Sequence, residues 1–292
     1  MTAIFKREFR DYFTGMFGWI FIAVLVLAGG VLSTAVNILS GSTDFSAIFA
    51  TLPEVLIVLL PFLASQTFTK ERAEQNELWL CSLPVRRTGL ILGKYFAMLL
   101  LFLLPTALLA VFPPLLDNLG NISYGSAYCT LAGYVLMGSA LLAICAFAAS
   151  CLHNRIVSVI VGILICAVIY FAPVLASLFV WRAWIGYLVC GLICAGIGAW
   201  LVIRYRRVLP GVLAAGIPLV LFTLLYFLLP VFYSDFLPAV LDFCSLVSLL
   251  NGFTIGHFDV PTGVYYLSIA VLFVFLTVQL QTKPVRKEGK GK

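Results

Sequence analysis

Residues 128–150 read YCTLAGYVLMGSALLAICAFAAS and contain no charged side chain. A helix needs about 20 such residues to cross the hydrocarbon core of a bilayer. Comparable apolar stretches recur along the whole chain, at 17–39, 53–69, 90–113, 156–179, 183–203, 210–232 and 263–281. The sequence therefore predicts an all-α, polytopic integral membrane protein with about eight transmembrane helices.

The composition agrees with this fold class. Of the 292 residues, 63% are hydrophobic and 10% are charged, whereas about 25% are charged in a typical soluble domain. The net charge of +6 does not indicate nucleic acid, because the basic residues are spread over short segments beside anionic lipid head groups. We expect membrane lipid, and no nucleic acid, as a partner.

The basic residues also fix the orientation. If successive stretches cross in alternate directions, every Lys and Arg except Arg182 lies on one side, and this excess is typical of cytoplasmic loops. The residues on that side are Lys6, Arg7, Arg10, Lys70, Arg72, Arg86, Arg87, Lys94, Arg155, Arg204, Arg206, Arg207, Lys283, Arg286, Lys287, Lys290 and Lys292. We therefore expect a multi-pass protein of the cytoplasmic membrane with both termini in the cytoplasm.

The chain is expected to form one transmembrane domain over residues 1–292. Aromatic residues recur at helical spacing in 1–16, which predicts an interfacial helix or, alternatively, a polar extension of the first span. The half-apolar segment 233–262 predicts a short helix on the outer leaflet, and the basic tail 283–292 is expected to be disordered. A re-entrant pair could replace the fifth and sixth spans, but the RYRR run at 204–207 favours a full crossing.

The spans carry little that could do chemistry. Pro53 and Pro61 predict a broken or tilted second span, and Glu54 and Lys94 fall at predicted span ends. Ion-coupled transporters need charged groups at membrane depth, so their absence argues against such a mechanism, although Ser, Thr and Asn could still bind sodium. A secondary transporter would also be expected to contain internal repeats, and none is evident.

Catalytic and metal-binding motifs are missing from the sequence. HExxH, GxSxG and GxxxxGK[ST] do not occur. His153 and His257 are assigned to opposite sides of the membrane, and no CxxC pair exists; Cys190 and Cys194 share a helix face without further ligands. We therefore expect no catalytic residue, no cofactor and no metal site, and this chain should not hydrolyse nucleotide itself.

The informative cytoplasmic segment is 70–88, within residues 70–94, KERAEQNELWLCSLPVRRTGLILGK. Glutamates recur every three residues, an apolar side follows from Leu78, and Pro84 ends the helix. A short amphipathic helix of this kind either docks a soluble partner or lies on the lipid as a connector.

This segment resembles the signature of ABC type-2 exporter permeases, which have a Glu-Arg pair, a small helix, a leucine run with Pro, and a Gly-Lys opening the next span. The matching residues here are Glu71-Arg72, Leu78–Val85 and Ile91–Tyr95. The carboxyl-terminal part is similar to gliding-motility-associated ABC permeases, through Phe253–Asp259, Tyr265–Ser268 and Phe273–Gln279. The family core has six spans, and the helix pair at 181–232 departs from it.

The resemblance implies the permease subunit of an ABC exporter, paired with a second permease subunit and driven by a separate ABC ATPase subunit. It implies alternating access, in which the ATPases push on a cytoplasmic coupling helix. The docking residues it implies are Glu71, Arg72, Glu77, Leu78, Trp79, Leu80 and Pro84; no residue is assigned to substrate. A membrane scaffold or assembly factor that transports nothing is the alternative.

Overall fold

The computed structural model describes residues 2–39, 41, 44–73, 87–116, 123–152, 154–179, 245–254, 256 and 258–282. These residues are helical or lie in short connections, and no strand occurs among them. The predicted spans 183–203 and 210–232, the tail 283–292, and parts of 70–88 and 233–262 lie outside the described residues. The predicted all-α fold is confirmed for the part that the structure describes.

The described part of the chain contains nine α-helices. We number them α1 (Thr2–Thr14), α2 (Met16–Ser33), α3 (Ile48–Ala73), α4 (Arg87–Leu109), α5 (Phe112–Leu116), α6 (Tyr124–Cys151), α7 (Arg155–Phe179), α8 (Asn251–Thr254) and α9 (Val260–Thr282). A π-helical turn, Thr34–Ile38, extends α2, and short 3-10 turns at Phe45–Ala47 and Ser248–Leu250 lead into α3 and α8.

Six stretches of the described chain are long and apolar enough to cross a membrane. They are Met16–Ile38, Phe45–Thr69, Thr88–Leu115, Tyr124–Cys151, Arg155–Val174 and Val260–Gln281. These match six of the eight predicted spans. The helix predicted in 1–16 is present as the separate helix α1, which is joined to α2 at Gly15; its position at the membrane interface stays a prediction.

The second span differs from its prediction at its beginning. The sequence placed its start at Pro53, but helix begins at Phe45, after Asp44, whose carboxylate accepts from the backbone N–H of Ser46. Helix then continues through both Pro53 and Pro61 to Ala73. Helices in membrane proteins tolerate proline where neighbouring elements compensate, and here Gly162 of α7 leaves room for the Pro61 ring.

The described residues belong to two compact units, Met1–Tyr170 with Leu249–Lys292, and Phe171–Ser248. In the second unit, Ser245 and Ser248 form a turn in which the Ser248 N–H donates to the Ser245 hydroxyl.

Helix α6 is the core of the first unit and packs against α3, α4 and α9. Its small residues allow this close packing, as is common between helices in membranes. A Cβ on Gly138 would collide with the ring of Phe102 on α4. One turn earlier, the buried Tyr134 ring lies between Phe49 and Phe102, with centroids 5.1 and 5.8 Å away.

The described end of the segment 233–262, predicted to lie on the outer leaflet, packs against α6. Leu250 and Phe253 are 2% and 0% exposed and lie against Gly133 of α6. Both side chains thus contact protein in the space beside that glycine.

Candidate functional site

Helix α1 presents two different faces. Lys6, Arg7 and Arg10 are exposed, whereas Glu8 and Tyr12 are buried against the body of the protein. The helix packs mainly on α4, and the Tyr12 hydroxyl lies 2.6 Å from the Thr67 hydroxyl on α3. The aminoterminal helix is thus fixed to the two helices on either side of the predicted coupling segment.

The direction of this hydrogen bond follows from the other bond of Thr67. The Thr67 hydroxyl donates to the carbonyl of Leu63 at 3.0 Å. A threonine hydroxyl has one proton, so Thr67 accepts from Tyr12. Both side chains are almost fully buried, at 6% and 3% exposed, and water competes little for the pair.

Lys94 reaches the same residue from α4. Its ammonium group donates to the Thr67 carbonyl at 3.2 Å and lies 5.4 Å from the centre of the Phe68 ring. The side chain is 2% exposed. We call Tyr12, Thr67, Phe68 and Lys94 the Thr67 cluster; it joins three helices, α1, α3 and α4, through one residue.

The cluster lies close to the ends of α3 and α4 that border the predicted coupling segment. Thr67 lies within about two turns of the last residue of α3, Ala73, and Lys94 within about two turns of the first residue of α4, Arg87. Since their polar groups touch, the two helix ends lie side by side. The last turn of α3 and the first turn of α4 therefore lie at the end of the bundle where α1 packs.

Other predicted cytoplasmic residues lie at this end too. The carbonyl of Arg155, at the start of α7, accepts from Ser65, and its guanidinium lies 5.9 Å from the centre of the Phe62 ring. Thr88 of α4 and Gln279 of α9 line one apolar groove of about 710 Å³. The bundle thus brings the described basic segments to one end, which we call the basic end.

The docking residues predicted from the sequence are only partly visible. Glu71 and Arg72 lie in the last turn of α3, while Glu77, Leu78, Trp79, Leu80 and Pro84 lie outside the described residues. The structure brings the backbone of the first two to the basic end.

A second polar site lies well away from the basic end. The Tyr170 hydroxyl on α7 donates to a carboxylate oxygen of Glu54 on α3 at 2.7 Å. The sequence placed Glu54 at the end of a span, but the earlier start of the helix puts it inside the stretch Phe45–Thr69. The sequence pattern indicates Glu54 only as a residue at a span end, and it does not indicate Tyr170.

The reasons for these omissions are specific. The predicted helix boundary at Pro53 leaves Glu54 at a span end, whereas Pro53 is an interior residue of α3. Tyr170 had no signal of its own in an apolar run. Lys94 was recognised as part of a Gly-Lys pair, but its partner Thr67 lies 27 positions away, and no local pattern connects them.

Comparisons with known proteins give no further constraint. No family model matches this sequence, and no curated protein matches it. Within the described residues no group of three or more His, Cys, Asp or Glu side chains could hold a metal ion. The function therefore has to be argued from the two polar sites and from the sequence pattern.

Proposed function

We propose that this chain is the membrane-spanning permease subunit of an ATP-binding cassette exporter, working with a second permease subunit and a separate ATPase subunit. The observation that supports this proposal is the Thr67 cluster. It fastens together both helices that carry the 70–88 segment, at the same end as the basic face of α1.

Such an arrangement can transmit a displacement from one helix to the next. If a partner displaces residues 74–86, the force acts on the ends of α3 and α4 together, because Lys94 holds α4 to the Thr67 carbonyl. Helix α1 follows through Tyr12. The three elements would move as one body, whereas a free connector would absorb the displacement.

The movement would continue along α3 into α7. These helices run antiparallel in contact, from Ser65 beside Arg155, through Pro61 against Gly162, to Glu54 at Tyr170. Packed helices shift as units rather than deforming continuously. A displacement at the basic end is thereby expected to reach the Glu54 site about 20 Å away along the helix axis.

The proposal is tested at the predicted docking surface. Replacing Trp79 by Ala removes an aromatic side chain of the kind that often anchors interfaces, with an expected cost of about 2 kcal/mol in ATPase binding. Replacing Glu77 by Lys reverses a rim charge and should slow association. The measurements are co-purification of the ATPase with the tagged chain and ATP turnover of the assembled complex.

The matched control is Asp11→Lys, which reverses an exposed carboxylate on α1 at the same end but outside the segment. It should leave assembly unchanged. The purified chain alone should show no ATP turnover. Full assembly and turnover in both segment variants would mean that the segment is only a lipid-lying connector. The absence of any associated ATPase would favour the membrane scaffold over the exporter.

A further inference from the structure

Glu54 is the one carboxylate within the six long apolar stretches of the described chain. At 1.5 Å per residue it lies about 9 Å inside the first residue of α3, Ile48, and about 22 Å from Thr69. It is thus below the surface of a bilayer that α3 crosses. Ionisable residues at such depth are rare, and they mark substrate and ion paths.

The Glu54 carboxylate accepts a hydrogen bond, but no cation among the described residues neutralises its charge. Tyr170 engages Oε1 at 2.7 Å, and a carboxylate has two oxygens with about four acceptor positions. Glu54 remains exposed, and among the described residues no Lys or Arg forms an ion pair with it. A charge facing acyl chains in this state is unfavourable, and a cation bound beside it would remove that cost.

The surface around the carboxylate defines what kind of cation fits. On the same face of α3, one and two turns further on, Val58 and Phe62 are 55% and 39% exposed. Val168 of α7 is 49% exposed. The Tyr170 ring adds an aromatic group beside the carboxylate, and aromatic faces attract cations. One negative group bordered by apolar and aromatic surface matches a positively charged molecule with an apolar body.

We propose that Glu54 and Tyr170 form a membrane-embedded binding site for amphipathic organic cations. The Glu54 carboxylate binds the positive group, Tyr170 orients the carboxylate, and Val58 and Val168 contact the apolar body. This inference rests on the proposed export function, for which it names the substrate class. The antiparallel contact between α3 and α7 connects the site to the basic end, so a shift of either helix changes the position of carboxylate and hydroxyl.

The test uses the full chain in lipid nanodiscs and ethidium, a fluorescent amphipathic cation, as the probe. Wild-type protein should bind ethidium saturably. Glu54→Gln should weaken binding by about tenfold or more, which corresponds to ~1.4 kcal/mol. Glu54→Asp keeps the charge and should stay within about threefold of wild type, and Tyr170→Phe should lose about threefold through one hydrogen bond.

Two controls separate recognition of charge from damage to the fold. Nile red, a neutral apolar dye, should bind wild type and Glu54→Gln equally. Co-purification of the ATPase should be unchanged in Glu54→Gln, because residue 54 lies far from the basic end. The two proposals can therefore fail separately. ATPase co-purification with the segment variants tests the proposed function, and ethidium binding by the Glu54 variants tests the cation site.

Three results would overturn the inference. The first is the absence of saturable ethidium binding by the wild-type chain, and the second is equal ethidium affinity in wild type and Glu54→Gln. The third concerns Arg182, the one basic residue that the sequence assigns to the opposite side. If Arg182→Gln strengthens ethidium binding and Glu54→Gln abolishes that gain, the carboxylate belongs to an internal ion pair.

Discussion

A double-mutant cycle on Tyr12 and Thr67 tests the geometry at the basic end. Tyr12→Phe removes a donor, and Thr67 keeps its bond to the Leu63 carbonyl. The expected cost in unfolding free energy is therefore that of one hydrogen bond, about 1 kcal/mol. Thr67→Val instead removes the acceptor of the Tyr12 hydroxyl. Because Tyr12 is only 6% exposed, water does not readily replace that acceptor, and the expected cost in unfolding free energy is about 1–3 kcal/mol.

The two changes should not be additive. In the Tyr12→Phe background the hydroxyl that needed an acceptor is gone, so Thr67→Val should cost less than ~0.5 kcal/mol there. The expected coupling energy is about 1 kcal/mol, above the mean of about 0.6 kcal/mol for hydrogen bonds between membrane helices because the pair is nearly dry.

The assay is reversible unfolding of the purified full chain in mixed micelles, with helix content measured against the fraction of denaturing detergent. Thr106→Val serves as the control, because Thr106 bonds only within its own helix, to Phe102 and Leu103; it should show no coupling to Tyr12→Phe. A coupling energy below about 0.3 kcal/mol, within the usual error of additivity, would refute the assigned hydrogen bond and with it the attachment of α1 to α3.

Two further predictions concern the core. Gly138→Val places a side chain against the Phe102 ring and should lower the free energy of unfolding by about 1–3 kcal/mol. The control is Gly125→Val, where a Cβ meets nothing within 4 Å and the cost in the same assay should be less than half as large. Equal costs would contradict the α4–α6 packing. The sulfurs of Cys145 and Cys166 lie 3.3 Å apart, so mild iodine oxidation should link α6 to α7 through a disulfide detectable by peptide mass spectrometry, and failure to link them would contradict this contact.

Much of the architecture could be predicted because a bilayer imposes its own length and composition on a helix. The stretch 128–150 was predicted as a span, and α6 occupies Tyr124–Cys151. Helix α1 was equally visible, since Phe5, Phe9 and Tyr12 recur at helical spacing between charged residues. These properties are local: each can be read from some twenty adjacent residues.

The polar contacts could not be predicted in this way. Tyr12 and Thr67 are 55 positions apart, and Glu54 and Tyr170 are 116 apart. In an apolar helix a Thr or Tyr gives no periodic signal, because one polar group among twenty apolar ones hardly changes the pattern. Which helices meet is decided by small residues such as Gly162, whose partner Pro61 lies on another element.

The two polar sites explain why a charged residue lies near each end of α3. Lipid penalises ionisable groups at depth, yet α3 lies between two of them, Glu54 near its first turns and Lys94 beside its last. Lys94 is satisfied inside the protein, by the Thr67 carbonyl and the Phe68 ring. Glu54 is exposed and has a single neutral partner among the described residues. A charge that is satisfied internally stabilises a joint between helices, whereas a charge that is left facing outward is available to a ligand; α3 therefore links a structural site at the basic end with the site that we assign to organic cations.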